Sequence, residues 1–133
     1  MTTVGTQLPP FLRLRRNRKS EAIRQMVKET RLSLRNLALP LFLVEGENKR
    51  IPIPAMPGVE RLSIDLALAE GERLHKRGLP AILLFPVIDP SLKSEGAEEA
   101  WNPNGLLARA IRAFKTHLPS LCLMADVALD PFT

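Results

Sequence analysis

Three apolar runs punctuate the chain, at residues 37–44, 81–88 and 121–127. None has a helical polar face, so each reads as a strand buried on both sides, as in a parallel sheet. Pro40 is awkward for a central strand and fits better near its beginning or at an irregularity. Two amphipathic stretches separate the runs. Over residues 64–77, Ile64, Leu66, Ala67, Leu68 and Leu74 form a broad apolar stripe. Ser63 suits its N-cap, Asp65 its positive end, Lys76 and Arg77 its negative end, and Gly78 stops it. Over residues 105–117 the stripe is Leu106, Leu107, Ala110, Ile111 and Phe114, opened by Asn104 or Asn102 and ended by Pro119. Residues 51–58 alternate prolines with apolar residues and predict a pinned, extended loop. Lys93, Glu95, Glu98 and Glu99 mark a polar loop before the second helix.

Strands alternating with helices imply parallel pairing through right-handed crossovers, an α/β body. A doubly wound sheet and the start of an eight-stranded barrel both fit. No Gly-rich dinucleotide turn follows any strand, and long loops after the first two strands favour the barrel. Residues 37–133 are therefore predicted to be an incomplete TIM (β/α)8 barrel, its N-terminal part, with three parallel strands and two crossover helices. Residues 1–36 form an N-terminal arm. In it, residues 1–12, with Pro9 and Pro10, read as an extended leader, and residues 13–19 form a cationic run. Ser20 caps a short helix over residues 21–30 with Ile23, Met26 and Val27 on one face.

Charge sharpens that division. The net charge is +5, but residues 1–36 hold nine Lys/Arg against Glu21 and Glu29, which leaves the rest mildly acidic. Such an arm suits nucleic acid, an acidic membrane face or the acidic surface of a neighbouring subunit. At 133 residues and 45% hydrophobic, the chain can build one core, mostly from Leu, Ile, Val and Ala because aromatics are only 5%. A single cysteine, Cys122, excludes an intrachain disulfide and a cysteine-cluster zinc site within this sequence. No apolar run reaches the length of a membrane span, and the first dozen residues lack the apolar core of a signal peptide. The default expectation is a cytoplasmic protein without a membrane partner.

Six collinear blocks resemble the N-terminal part of the porphobilinogen synthase (delta-aminolevulinic acid dehydratase) family. They are Arg15-Arg16-Asn17-Arg18, Leu39-Pro40-Leu41-Phe42-Leu43-Val44-Glu45-Gly46, Met56-Pro57-Gly58-Val59-Glu60-Arg61-Leu62-Ser63, Leu84-Phe85-Pro86-Val87, Trp101-Asn102-Pro103-Asn104-Gly105 and Asp126-Val127-Ala128-Leu129-Asp130-Pro131-Phe132-Thr133. The resemblance runs from about Leu12 to Thr133. It implies a barrel preceded by an arm that packs on another subunit of a homo-oligomer. The reaction it implies is condensation and dehydration of two 5-aminolevulinate molecules to porphobilinogen, in tetrapyrrole biosynthesis. That chemistry uses two strand lysines as Schiff bases, where a desolvated amine attacks the substrate ketone. Lys19, Lys28, Lys49, Lys76, Lys93 and Lys115 all fall on the arm, loops or polar helix faces, and none matches those positions. The chain alone is therefore expected to be inactive.

Zinc-type members of the family resemble one another in carrying cysteines where this sequence has Ala128 and Asp130. Ala128 offers no ligand atom and Asp130 a hard oxygen, so the resemblance implies magnesium in the full-length enzyme rather than zinc. Asp130 is the candidate metal ligand, with a turn-forming Asp-Pro as the plainer reading. Asp126 matches the family's active-site aspartate at the end of the third strand. Its functional reading is substrate orientation or stabilisation of an iminium; the plainer one is capping nearby amides. Arg15, Arg16 and Arg18 are the candidate subunit contact, favoured over nucleic acid because no interleaved aromatics or recognised module support the latter. His75 and His117 read as helix-end residues and Cys122 as an inert buried thiol. The alternative function is a non-catalytic fragment that docks on full-length subunits through its basic arm. In isolation, the open edges and uncovered face of a three-stranded parallel sheet predict aggregation or partial unfolding.

Overall fold

A computed structural model describes residues 15–133. The leader at residues 1–12, with Arg13 and Leu14, lies outside the described residues. The described chain divides between Leu32 and Ser33 into two compact units.

The first unit holds a single 3-10 turn, Arg16–Arg18, and helix α1, Glu21–Met26. Ser20 caps α1 as expected, its Oγ accepting from the Ile23 amide at 3.3 Å. The helix is only six residues long and ends four residues before the sequence pattern suggested. None of its residues is buried, and Met26 is 82% exposed. Without packing, so short a helix has little to offset the cost of nucleation.

The second unit is a five-stranded sheet with helices α2 (Ile64–His75) and α3 (Leu106–His117). Its strands are β1 (Ala38–Leu43), β2 (Arg50–Pro52), β3 (Glu60–Leu62), β4 (Ala81–Pro86) and β5 (Cys122–Ala125), ordered β2-β3-β1-β4-β5. β3, β1, β4 and β5 are mutually parallel, and β2 pairs antiparallel with β3. Register runs from Ala38 opposite Ala81 to Leu43 opposite Pro86, and from Ala81 opposite Cys122 to Leu84 opposite Ala125.

The three long strands and two helices match the periodicity. The β2–β3 hairpin does not, because it lies partly in the stretch expected to be a loop. Backbone bonds from Ile53 to Val59 (3.0 Å) and from Met56 to Ile53 (2.9 Å) close its turn. Two three-residue strands containing Arg50, Glu60 and Arg61 are too short to show a period. Pro40 lies inside β1. The Val44 amide points to β3 and the Leu43 carbonyl to the β4 side, so alternation aims the Pro40 nitrogen at the edge β3 reaches only at Phe42 and Leu43. A missing N–H is tolerated there. α3 opens at Gly105, not at Asn104 or Asn102. A Cβ on Gly105 would stand 2.6 Å from Glu99 Oε1 and 3.2 Å from the Asn102 carbonyl, so the helix entry is crowded.

One face of the sheet carries the core. Leu41, Leu43, Leu62, Ile82 and Leu84 pack against Ala67 of α2 and Leu106, Ala110 and Phe114 of α3. Each such large apolar side chain stabilises the fold by about 1.5–3 kcal/mol. Gly71 lets the helices close up, because a Cβ there would lie 2.8 Å from the Phe114 ring and 3.2 Å from Ile82 Cδ1. The opposite face presents Phe42 and Phe85, stacked with ring centroids 5.6 Å apart, together with Leu83, Met124 and Cys122. Cys122 is exposed, which corrects the buried thiol expected from its strand. It alternates with Leu123, which faces the core, so Cys122 falls on the face no described helix covers.

Candidate functional site

The carboxyl ends of β1, β4 and β5 feed three loops, residues 44–49, 87–105 and 126–133, onto one rim of the sheet. Both acidic candidates stand there. Asp126 directly follows β5 and is exposed; its Oδ1 accepts from the Ala128 amide at 3.0 Å. That bond to the residue two ahead is an Asx turn, so one carboxylate oxygen serves the loop itself. Asp130, also exposed, begins the single turn Asp130–Phe132, and its carbonyl accepts from the Thr133 hydroxyl at 3.3 Å. The structure therefore places Asp126 and Asp130 on one loop. Among the described residues no group of three or more His, Cys, Asp or Glu comes together. These residues do not themselves fit a magnesium ion, which takes six near-octahedral oxygen ligands.

The rim is cross-tied. In the β1 loop the Asn48 amide donates to Asp65 Oδ2 at 3.0 Å, and the Lys49 amide donates to the buried Ser63 Oγ at 2.9 Å. Ser63 thus stands at the N-cap of α2 while its side chain caps no helix amide and holds the loop. The Ser63 hydroxyl and then the Asn48 amide keep the Asp65 carboxyl below its usual range, since both stabilise the charged form. Glu45, just beyond β1, pairs with Arg109 of α3. Arg109 Nε donates to the Asn104 carbonyl at 3.0 Å, and Asn102 Nδ2 to Glu99 at 2.8 Å. The loop after β4 is thereby tied to the end of β1.

That same loop grips the β5 loop. Phe132, Ile88 and Ala97, with Ala100 against them, form a small apolar cluster apart from the main core. The Ser94 amide donates to the Phe132 carbonyl at 3.1 Å. Ala97 adopts φ 54, and the Ser94 hydroxyl bonds Glu98, whose carboxyl it draws below its usual range. Sequence reasoning missed this cluster. Its members are scattered over 45 positions and share no period, and only the position of Phe132 shortly after the two aspartates hinted at it.

No lysine among the described residues lies on a strand. Lys115 points its Nζ at the carbonyls of Pro119 (3.3 Å) and Leu121 (3.2 Å). None therefore sits as a desolvated amine facing the sheet. A cleft of about 260 Å³ beside the first half of β1 is lined by Leu39, Phe42, Met56, Arg50, Glu60 and Glu70, among others. Its charges are internally matched: Arg50 pairs with Glu60, and Arg73 holds Glu70, whose carboxyl it lowers. His75 and His117 keep to helix ends. His75 Nδ1 donates to the Leu79 carbonyl at 3.1 Å, leaving Nε2 to accept from Ser120 at 3.0 Å; His117 Nδ1 donates to Ala113 at 2.9 Å. In the first unit Arg15, Arg16 and Arg18 are all exposed. Arg24, paired with Glu21, anchors the turn by donating to the Arg18 carbonyl at 3.0 Å.

Comparison with known proteins bears on the whole described chain. The family model for delta-aminolevulinic acid dehydratase matches residues 11–133. The delta-aminolevulinic acid dehydratase of Bradyrhizobium diazoefficiens is 53% identical over 122 residues, covering 92% of this chain and 35% of the relative. That of Chlamydia pneumoniae is 46% identical, covering 91% of this chain and 36% of the relative. A crystal structure of the Toxoplasma gondii enzyme in complex with the reaction product porphobilinogen superposes with a TM-score of 0.87 at 47% identity, over 96% of this chain and 36% of that one. The chain spans about a third of the length of the relatives it matches.

Proposed function

The chain belongs to the delta-aminolevulinic acid dehydratase family, and from that membership we propose that the polypeptide carrying it condenses and dehydrates two molecules of 5-aminolevulinate to porphobilinogen. The observation that carries this reading is the family match over residues 11–133. The close superposition on a relative whose structure holds porphobilinogen supports it.

On this reading the five-stranded unit is the first part of a (β/α)8 barrel. The three long parallel strands supply barrel staves, and the face bearing Phe42, Phe85 and Met124 turns inward. The rim then carries the site, as in barrels generally. Asp126 orients substrate or offsets the cationic charge that develops on a Schiff base. The Asx turn supports this, because fixing Oδ1 on the Ala128 amide sets the direction of the carboxylate. Asp130 would offer one hard-oxygen donor toward a magnesium ion in the longer polypeptide, whose other ligands would have to come from outside the described residues. The Schiff-base amines come from outside these residues, since no strand among the described residues contains a lysine.

The exposed arginines of the first unit, Arg15, Arg16 and Arg18, are read as a contact with the acidic surface of another subunit in a homo-oligomer. No helix of the described residues is long and apolar enough to cross a membrane. We place the reaction in the cytoplasm; relatives such as that of Glycine max are chloroplastic.

The test is pyrrole formation from 5-aminolevulinate. A family-length polypeptide carrying this sequence is expected to turn over, and replacing Asp126 with Asn to lower kcat by two or more orders of magnitude, on the order of the loss of one transition-state partner. The 133-residue chain alone is expected to give no product. Turnover by that chain would show that the amines lie within it after all. An inactive family-length polypeptide would remove the reading altogether.

A further inference from the structure

We propose that Phe132 is a positioning residue for the Asp126–Asp130 loop, latched into a socket on the loop that follows β4. The proposal rests on the role given to Asp126 above. Phe132 is 4% exposed in a segment that otherwise faces water, where Val127 is 91% exposed. Its ring sits against Ile88, Ala97 and Ala100, all from residues 87–105, and its carbonyl takes the Ser94 amide at 3.1 Å. An apolar contact and a backbone bond thus fix the same residue to the same partner loop.

The socket is itself braced. Ala97 holds a left-handed backbone, φ 54, which an alanine keeps only where its surroundings impose it. Beside it the Ser94 hydroxyl bonds Glu98. The far end of the loop is moored to β1 through Asn104, Arg109 and Glu45. Asp126 is therefore bracketed, by β5 immediately before it and by the Phe132 latch six residues on. Between these anchors the Asp126–Ala128 bond holds the carboxylate locally. Removing the ring leaves the far end of the loop held by the Ser94–Phe132 backbone bond without the apolar contact that seats it.

Amide hydrogen exchange and kinetics together test this, with Phe132→Ala and the more conservative Phe132→Leu. In the family-length polypeptide, Phe132→Ala should speed exchange at Ala128 about tenfold or more while Ile82 and Leu84 in β4 stay as protected as before. Phe132→Leu, which refills most of the socket, should restore most of the protection. In the family-length polypeptide, Phe132→Ala should lower kcat more than it raises KM, with rescue by Leu. Unchanged exchange at Ala128 would overturn the latch. So would an equal rise at Ile82 and Leu84 in both variants, since that describes a general stabilising residue. Faster exchange at Ala128 with kcat unchanged would keep the latch and count against Asp126 as part of the site.

Discussion

The two faces of the sheet are built from the same kind of residue and end up in different states. Alternate positions of β4 show it most clearly. Ile82 and Leu84 are fully buried under α2 and α3, whereas Leu83 and Phe85 are half-buried on the far side. Positions in β1 and β5 follow the same division, with Leu41 and Leu43 buried and Met124 exposed. A soluble sheet with one solvated face would alternate apolar with polar. Here apolar side chains continue on both, which marks the second face as built for burial by something other than α2 and α3.

Substitutions of equal size on the two faces separate these states. Phe114→Ala on α3 should destabilise the folded 133-residue chain by about 3–5 kcal/mol, because the ring is enclosed and the space left cannot collapse. Phe85→Ala should cost about 1 kcal/mol or less there, since the ring already meets solvent on one side. Urea midpoints would give both numbers. Similar losses would mean the open face is covered in solution. A smaller effect is expected at the helix crossing. Gly71→Ala forces a methyl against Phe114 and Ile82, overpacking worth about 1–3 kcal/mol, offset by about 1 kcal/mol of helix propensity. A net loss of up to about 2 kcal/mol is expected, and a stabilised variant would show that the two helices part easily.

The smallest effect concerns pH, which touches neither apolar face. Asp65, Glu70, Glu72, Asp89 and Glu98 are all held below their usual range by hydrogen bonds in loops and on α2. A depressed folded-state pKa contributes stability that is present above the unfolded value and lost as pH falls through the folded one. The urea midpoint should therefore stay level from about pH 7 to about pH 5 and decline slightly below about pH 4. These carboxylates are largely exposed, so a steep collapse would point to a buried acid instead.

Much of this was legible in the sequence. Long apolar runs and amphipathic stripes carry their own period, so β1, β4, β5, α2 and α3 emerge within two or three residues of their observed ends. Ser20 and Gly78 mark a helix start and a helix stop because their chemistry acts locally; Gly78 takes φ 99 just past α2. The β2–β3 hairpin was hidden because three-residue strands with charged side chains have no period and depend on pairing across the turn. The exposure of Cys122 was hidden for a related reason. A continuous apolar strand says that both its faces are apolar, not which one a helix will cover. At the rim the sequence points to Asp126 and Asp130. Yet the Phe132 socket and the Glu45–Arg109 tie join residues 32 or more positions apart, or brought together only by the sheet.

The reading of the open face as a barrel interior is tested most directly by the alkylation rate of Cys122, which lies on that face. In the 133-residue chain the thiol should react nearly as fast as in the unfolded protein, because it is exposed. In a family-length polypeptide the completed barrel packs its interior, and the same thiol should react at least about a hundredfold more slowly. Equal rates in the two would contradict the account, since the face would then remain open with the rest of the chain present.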